Sequence, residues 1–183
     1  MRLRALSKVQ NIDKRSVVHD DVPAGPKLPP VLEFIQTRQK FCQLALDVVA
    51  PTKIADGDES QCFMNAYRGS SAHQCTMCSG WLATPLQRGT AFQFTQHWWN
   101  FDQNAYRYID HSPAIEENAV YILDQDLAQF ALVHNDRLTS CVARSLVLEQ
   151  GQFFAIETIE SSYQFKPLDD LSTETLFEPY LLR

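Results

Sequence analysis

The sequence predicts an α+β fold, an antiparallel sheet with one central helix packed across it. Three observations carry that prediction. Aromatic and β-branched stretches recur at 80–83, 91–101, 106–109, 145–148 and 153–156, separated by short polar turns. Apolar residues at 31, 34, 35, 41, 42, 45, 48 and 49 repeat with a period near 3.6. A second, shorter apolar segment, Cys62-Phe-Met-Asn65-Ala-Tyr67, follows a loop rich in helix-capping residues, Asp56-Gly-Asp-Glu-Ser60.

Composition bounds the function classes. A chain of 183 residues with 45% hydrophobic content can bury a full core within one domain. Its net charge of −6 argues against a general nucleic-acid binder, which carries a basic footprint. No apolar run approaches the roughly 18 residues of a membrane span, and the N-terminus lacks the apolar core of a signal peptide. Five cysteines, an odd number at scattered positions, do not form a disulfide framework, so a reducing, cytoplasmic setting is expected.

Residues 1–30 read as an N-terminal arm followed by a linker, because Pro23-Ala-Gly-Pro-Lys-Leu-Pro-Pro30 disfavours helix and central strand alike. Residues 31–183 form the single expected domain. Val31 to Ala50 is predicted as one helix that Pro51 stops, with Cys42 on its core face. The Cys62 helix runs to about Gly69. Gly80 to Ala83 is a short strand ending at Thr84-Pro85, and Leu86 to Thr90 a turn. After the 91–109 hairpin, Val120 to Val133 has helical spacing, starting at Asp124 or Asp126, and His134 closes it near the helix dipole. A second hairpin turns at Glu149-Gln-Gly-Gln152, a strand at Tyr163–Phe165 precedes Pro167, and Leu168 to Phe177 holds a short helix over Ser172-Thr-Glu-Thr175.

The chemistry concentrates in two segments. At the start of a helix, unpaired backbone N–H groups and the helix dipole favour the thiolate of Cys62, and the same N–H groups can hold an oxyanion. Asp56, Asp58 and Glu59 act in the opposite sense, raising a thiol pKa if they are close in space. In the first hairpin, Phe92, Phe94 and Trp98 share one side of the period-two pattern, and Thr95, His97 and Trp99 the other. A turn centred on Gln103-Asn104 sets His97 opposite Asp110, where a carboxylate can fix the imidazole tautomer and stabilise its charged form. A one-residue slip would bring His111 in place of His97.

Cys62 at a helix start, Gly80-Trp-Leu82 as the next strand, His97-Trp-Trp-Asn100 and then Tyr108-Ile-Asp110-His-Ser-Pro113 together resemble the papain-like superfamily, and especially its transglutaminase-like branch, over about residues 58–113. The resemblance implies a papain-like/transglutaminase-like core with Cys62 as nucleophile, His97 as general base and acid, and Asp110 as orienting carboxylate. The stretch Gly69–Ser79 departs from it, standing where a longer apolar helix would be usual, and so does His111, where a small or hydroxyl residue would be. The implied reaction is hydrolysis or acyl transfer at an amide or peptide bond through a thioester, on a peptide, protein or small amide substrate, with no cofactor and no metal. Gln61 and Gln96 are candidate oxyanion donors beside the Cys62 N–H. Trp98 and Trp99 either wall the cleft, shield the pair from water or belong to the core. Asn65, one turn after Cys62, either faces the cleft or bonds a neighbouring loop.

Two other readings fit the same residues. One is a binding or scaffold protein of the same fold with an inert Cys62. The other is a zinc-binding module on Cys75 and Cys78, whose spacing is half a metal site or a redox pair and which His73, Cys42 or Cys141 would have to complete.

Overall fold

The computed structural model describes residues 29–73, 75–86, 91–113, 115–159 and 161–182. The N-terminal arm and most of the Pro-rich linker lie outside these residues, as does most of the expected turn at 86–90. The first helix, α1 (Pro29–Gln39), begins on the last two linker prolines, which suit a first turn because their missing N–H groups would have no partner there. Two short strands follow, β1 (Asp47–Val49) and β2 (Thr52–Lys53), then α2 (Cys62–His73), β3 (Thr76–Leu86), β4 (Ala91–Asp102), β5 (Arg107–Asp110), β6 (Val120–Leu123) and α3 (Gln125–Val133). The chain ends with β7 (Leu146–Glu149), β8 (Gln152–Ile159), β9 (Ser162–Leu168) and α4 (Thr173–Phe177).

The architecture is α+β with one large open sheet, ordered β1-β6-β3-β4-β7-β8-β9 and antiparallel along that path. β5 also pairs with β4, and β2 lies parallel to β5. Even-numbered positions of β4 face the helices. There Phe34 of α1 stacks on Phe94 at 4.1 Å and meets Trp81 edge-on at 5.4 Å, inside a core that includes Trp98, Ile122 and Leu127. Odd-numbered positions build a smaller apolar cluster on the opposite face, with Trp99, Phe101, Tyr121 and Leu82.

Several elements differ from the sequence expectation. The helix predicted to Ala50 stops at Gln39, whose side chain donates to the Leu44 carbonyl and accepts from the Leu46 N–H, folding 40–46 into a turn. Asp47-Val-Val49 then pairs with β6, which uses its β-branched residues better than a helix would. Val120–Leu123 pairs as a strand with both β1 and β3, so of the two expected helix starts it is the one at Asp124 that forms. α3 starts directly after it, with the Asp124 carboxylate capping the Leu127 N–H. α2 continues to His73 and β3 is eleven residues long, because it has a strand partner along its whole length.

The second hairpin forms as expected, turning on Gln150 and Gly151, both with positive φ (51° and 78°), the geometry that matches strand twist. The first hairpin closes two residues later than predicted. Asp102 pairs with Arg107, the Asp102 carboxylate accepts from the N–H groups of Asn104 and Ala105, and Tyr106 adopts φ +52°. A shift of two keeps the side-chain parity, so His97 and Asp110 remain on one face but lie diagonally rather than directly opposite.

Candidate active site

The site forms at an interruption in the sheet. One edge of β4 is covered by β3 from Ala91 to Phe101. The other edge is shared, β7 covering Ala91–Phe94 and β5 covering Asn100–Asp102. Among the described residues, positions 95–99 therefore have no strand partner on that side. The start of α2 comes to this gap, with Phe63 edge-on to Trp98 at 5.1 Å. Asn100 donates to the Ala66 carbonyl, and Gly69 passes so close that a Cβ there would sit 2.5 Å from the Asn100 Oδ1.

The loop before Cys62 is stitched to the strand carrying Asp110. Ile54 N–H donates to the Asp110 carbonyl and Gly57 N–H to that of His111. Asn65 closes the loop from the helix side, accepting from the Asp58 N–H at 3.0 Å and donating to the Asp58 carbonyl at 2.7 Å. Asn65 thus fastens the loop that presents Cys62, the role of a neighbouring-loop tie. Two of the nearby acids are engaged: Asp58 by Arg68, and Asp56 by the His111 Nδ1 at 2.7 Å. His111 points to the opposite face from His97 and lies against α2 near Gly69.

His97 Nε2 lies 2.8 Å from Asp110 Oδ2, and both side chains are almost fully buried. Asp110 also accepts from the Tyr121 hydroxyl at 2.7 Å and from the Ser112 N–H at 2.9 Å. Burial opposes the charged imidazole, but hydrogen bonding to Asp110, together with the nearby Cys62 sulfur, outweighs it and raises the His97 pKa to about 9. For Asp110, burial again opposes the charge, and the bonds from His97, Ser112 and Tyr121 hold it below its ordinary value. Because Nε2 bonds Asp110, Nδ1 is the ring nitrogen left for another partner.

Trp99 stacks beside the His97 ring (6.1 Å between centroids, 25° between planes) and is fully buried, so it keeps water from the pair. Trp98 is fully buried on the helix side, donating to the Cys141 carbonyl, and is a core residue. Gln96 is tied at both ends of its amide, donating to Ser79 Oγ and accepting from the Ala143 N–H, which makes it a brace. Gln61 is exposed directly before the thiol, and its carbonyl accepts from the Asn65 N–H. Sequence reasoning missed Tyr121, because the stretch from Val120 was weighed for helical spacing and not as a strand. Its two β-branched residues around an aromatic were the available signal.

Cys62 is half-buried. Burial pushes up the thiols of Cys42, Cys75 and Cys141, and that of Cys78 to about 12. Cys78 lies buried within β3 beneath Gln125, and neither it nor Cys75 belongs to a cluster with metal-ligating spacing among the described residues. The cluster that does have such spacing, Cys42, Asp124 and Asp126, includes a carboxylate already held by Arg38, Trp81 and the Leu127 N–H.

The His97–Asp110 pair makes stability pH-dependent. Since folding raises the His97 pKa from 6.5 to about 9, the native state holds this proton more tightly than the unfolded chain. That contribution, on the order of 2–3 kcal/mol, is complete below about pH 6.5 and is lost as pH rises through about 9. The lowered Asp110 pKa acts at the other end, its contribution being lost as pH falls below about 4. Urea unfolding between these limits and above about pH 9 should show the alkaline loss in the wild type and a much flatter profile in His97→Gln.

No protein-family model matches this chain, and neither a curated protein nor a solved structure matches it.

Proposed function

We propose that the protein is a cysteine-dependent hydrolase or acyl transferase acting on amide or peptide bonds, built on a papain-like/transglutaminase-like core. The observation that carries this reading is the buried His97–Asp110 pair with Cys62, at a helix start, beside the same imidazole. In the proposed reaction His97 takes the thiol proton and the Cys62 sulfur attacks the carbonyl carbon. The C–N bond breaks as His97 returns the proton to the leaving amine, leaving a thioester on Cys62. His97 then deprotonates water or another acceptor, which attacks the thioester and releases the thiol. The N–H groups at the start of α2 face no intrahelical acceptor and serve the oxyanion, with Gln61 as the adjacent side-chain donor.

Five cysteines, an odd number at scattered positions, suit a reducing compartment such as the cytoplasm. No helix among the described residues is long and apolar enough to cross a membrane.

The reading is tested with an activated acyl donor such as p-nitrophenyl acetate, followed by rapid acid quench and peptide mapping. An acetyl group should appear on the Cys62 peptide, be removed by hydroxylamine, and be missing in Cys62→Ser. Acetylation spread evenly over the cysteines and lysines would count against it.

A further inference from the structure

We infer that the sheet face beside the candidate site carries a pocket for an uncharged aromatic or aliphatic side chain of the substrate, and that this pocket sets specificity. The inference rests on the proposed role of Cys62 and His97. A cavity of about 520 Å³ lies over β7, β8 and β9, with apolar walls from Val142, Val147, Ile156, Tyr163, Phe165 and Tyr180. Gln93, Ser145 and Thr158 add neutral hydrogen-bonding groups, and none of the described lining residues is charged. In a chain of net charge −6, described lining residues without carboxylates or cations favour neutral groups, since a charge desolvated against them would go uncompensated.

Register places this cavity on the face of the sheet that carries His97. Gln93 pairs with Val147, Ser145 lies opposite Ile156, and Ile156 pairs with Phe165, so these side chains share the face of Gln93. Gln93, Thr95 and His97 point to the same face along β4, which puts the cavity about 13 Å from His97, four residues of extended chain at roughly 3.3 Å each. The segment bearing Val142 and Ala143 runs past the open edge of β4, where the Ala143 N–H bonds Gln96 and the Cys141 carbonyl accepts from Trp98. That separation suits a side chain two or three residues from the reacting carbonyl. Tyr163 and Phe165 are 73% and 58% exposed, a large aromatic area left uncovered on an edge strand and available to such a group.

The test has a binding arm and a reaction arm, both on the full chain. In the first, acetyl-X-X-Gly amides with X as Phe, Leu, Glu or Lys are titrated calorimetrically into Cys62→Ala. In the second, the corresponding chloromethyl ketones alkylate wild-type Cys62, its sulfur displacing chloride, and the rate is followed by mass spectrometry. The Phe compound should bind and react at least about tenfold better than the Glu or Lys compounds. Thr158→Arg, an exposed change at the cavity wall, should invert the Phe-to-Glu ratio in both arms. Equal binding across the series, or a ratio indifferent to Thr158→Arg, would overturn the pocket. Selective binding without selective alkylation would also overturn it, as a pocket that does not serve Cys62. A Cys62 whose reactivity towards simple iodoacetamide ignores His97 would instead sink the catalytic reading, while the binding arm still decides the pocket.

Discussion

His97→Ala is expected to lower the rate of acyl-enzyme formation on Cys62 by about 10³–10⁴ at neutral pH, the usual scale for losing the base of a coupled nucleophile and base. The wild-type imidazole is held in one orientation by Asp110, with its proton retained to about pH 9. Acyl transfer that needs this proton for the leaving group should therefore decline on the alkaline side through about pH 9. Asp110→Asn tests the second link. It keeps one acceptor oxygen for the Ser112 N–H, while its Nδ2 takes the place of Oδ2 and donates to the Tyr121 oxygen, so the fold should hold, but it removes the charge that stabilises the imidazolium. A loss of about 10²–10⁴ with near-normal urea unfolding is the expected result. An effect of less than about threefold in both variants would mean that the pair serves structure alone.

The second large effect lies away from the site. Arg38, fully buried, donates to Asp124 at 2.9 Å, to the Leu171 carbonyl at 2.7 Å and to Thr173 at 2.8 Å. Asp124 also accepts from the Trp81 indole at 3.0 Å and caps α3. This clasp joins α1, β3, α3 and the start of α4. Asp124→Ala strands a buried guanidinium and should cost about 3–5 kcal/mol, lowering Tm by roughly 10 °C. Arg38→Met combined with Asp124→Asn removes both charges while leaving one acceptor oxygen, which can serve the Leu127 cap N–H, and should recover part of that loss. Equal destabilisation by the single and the double replacement would show that the charges themselves do not carry the effect.

Local rules brought the candidate site close to its observed form. The capping loop placed a helix start at Cys62, and strand alternation put His97 and Asp110 on one face even though the turn closes two residues later than drawn. Parity protected that inference, since only a slip of one would have separated them. What escaped was set by contacts distant in sequence. The Arg38–Asp124 bond spans 86 residues, and no local pattern announces it. Val120–Leu123 satisfies helix and strand spacing equally well, and its pairing with β1 and β3 decides the matter. With that strand went Tyr121, the third group holding Asp110. The gap in the edge of β4, through which Cys62 meets His97, exists only because β5 and β7 each cover part of that edge.

The central claim is that Cys62 and His97 act as a pair, and the most direct measurement is iodoacetamide alkylation of the five cysteines near pH 6, mapped by mass spectrometry in wild type and His97→Ala. Burial raises the thiol pKa of Cys42, Cys75, Cys78 and Cys141, so these should be slow. Cys62 should be modified first, and this lead should fall by about 10²-fold or more when His97 is removed. A Cys62 no faster than Cys141, with the same rate in His97→Ala, would contradict it.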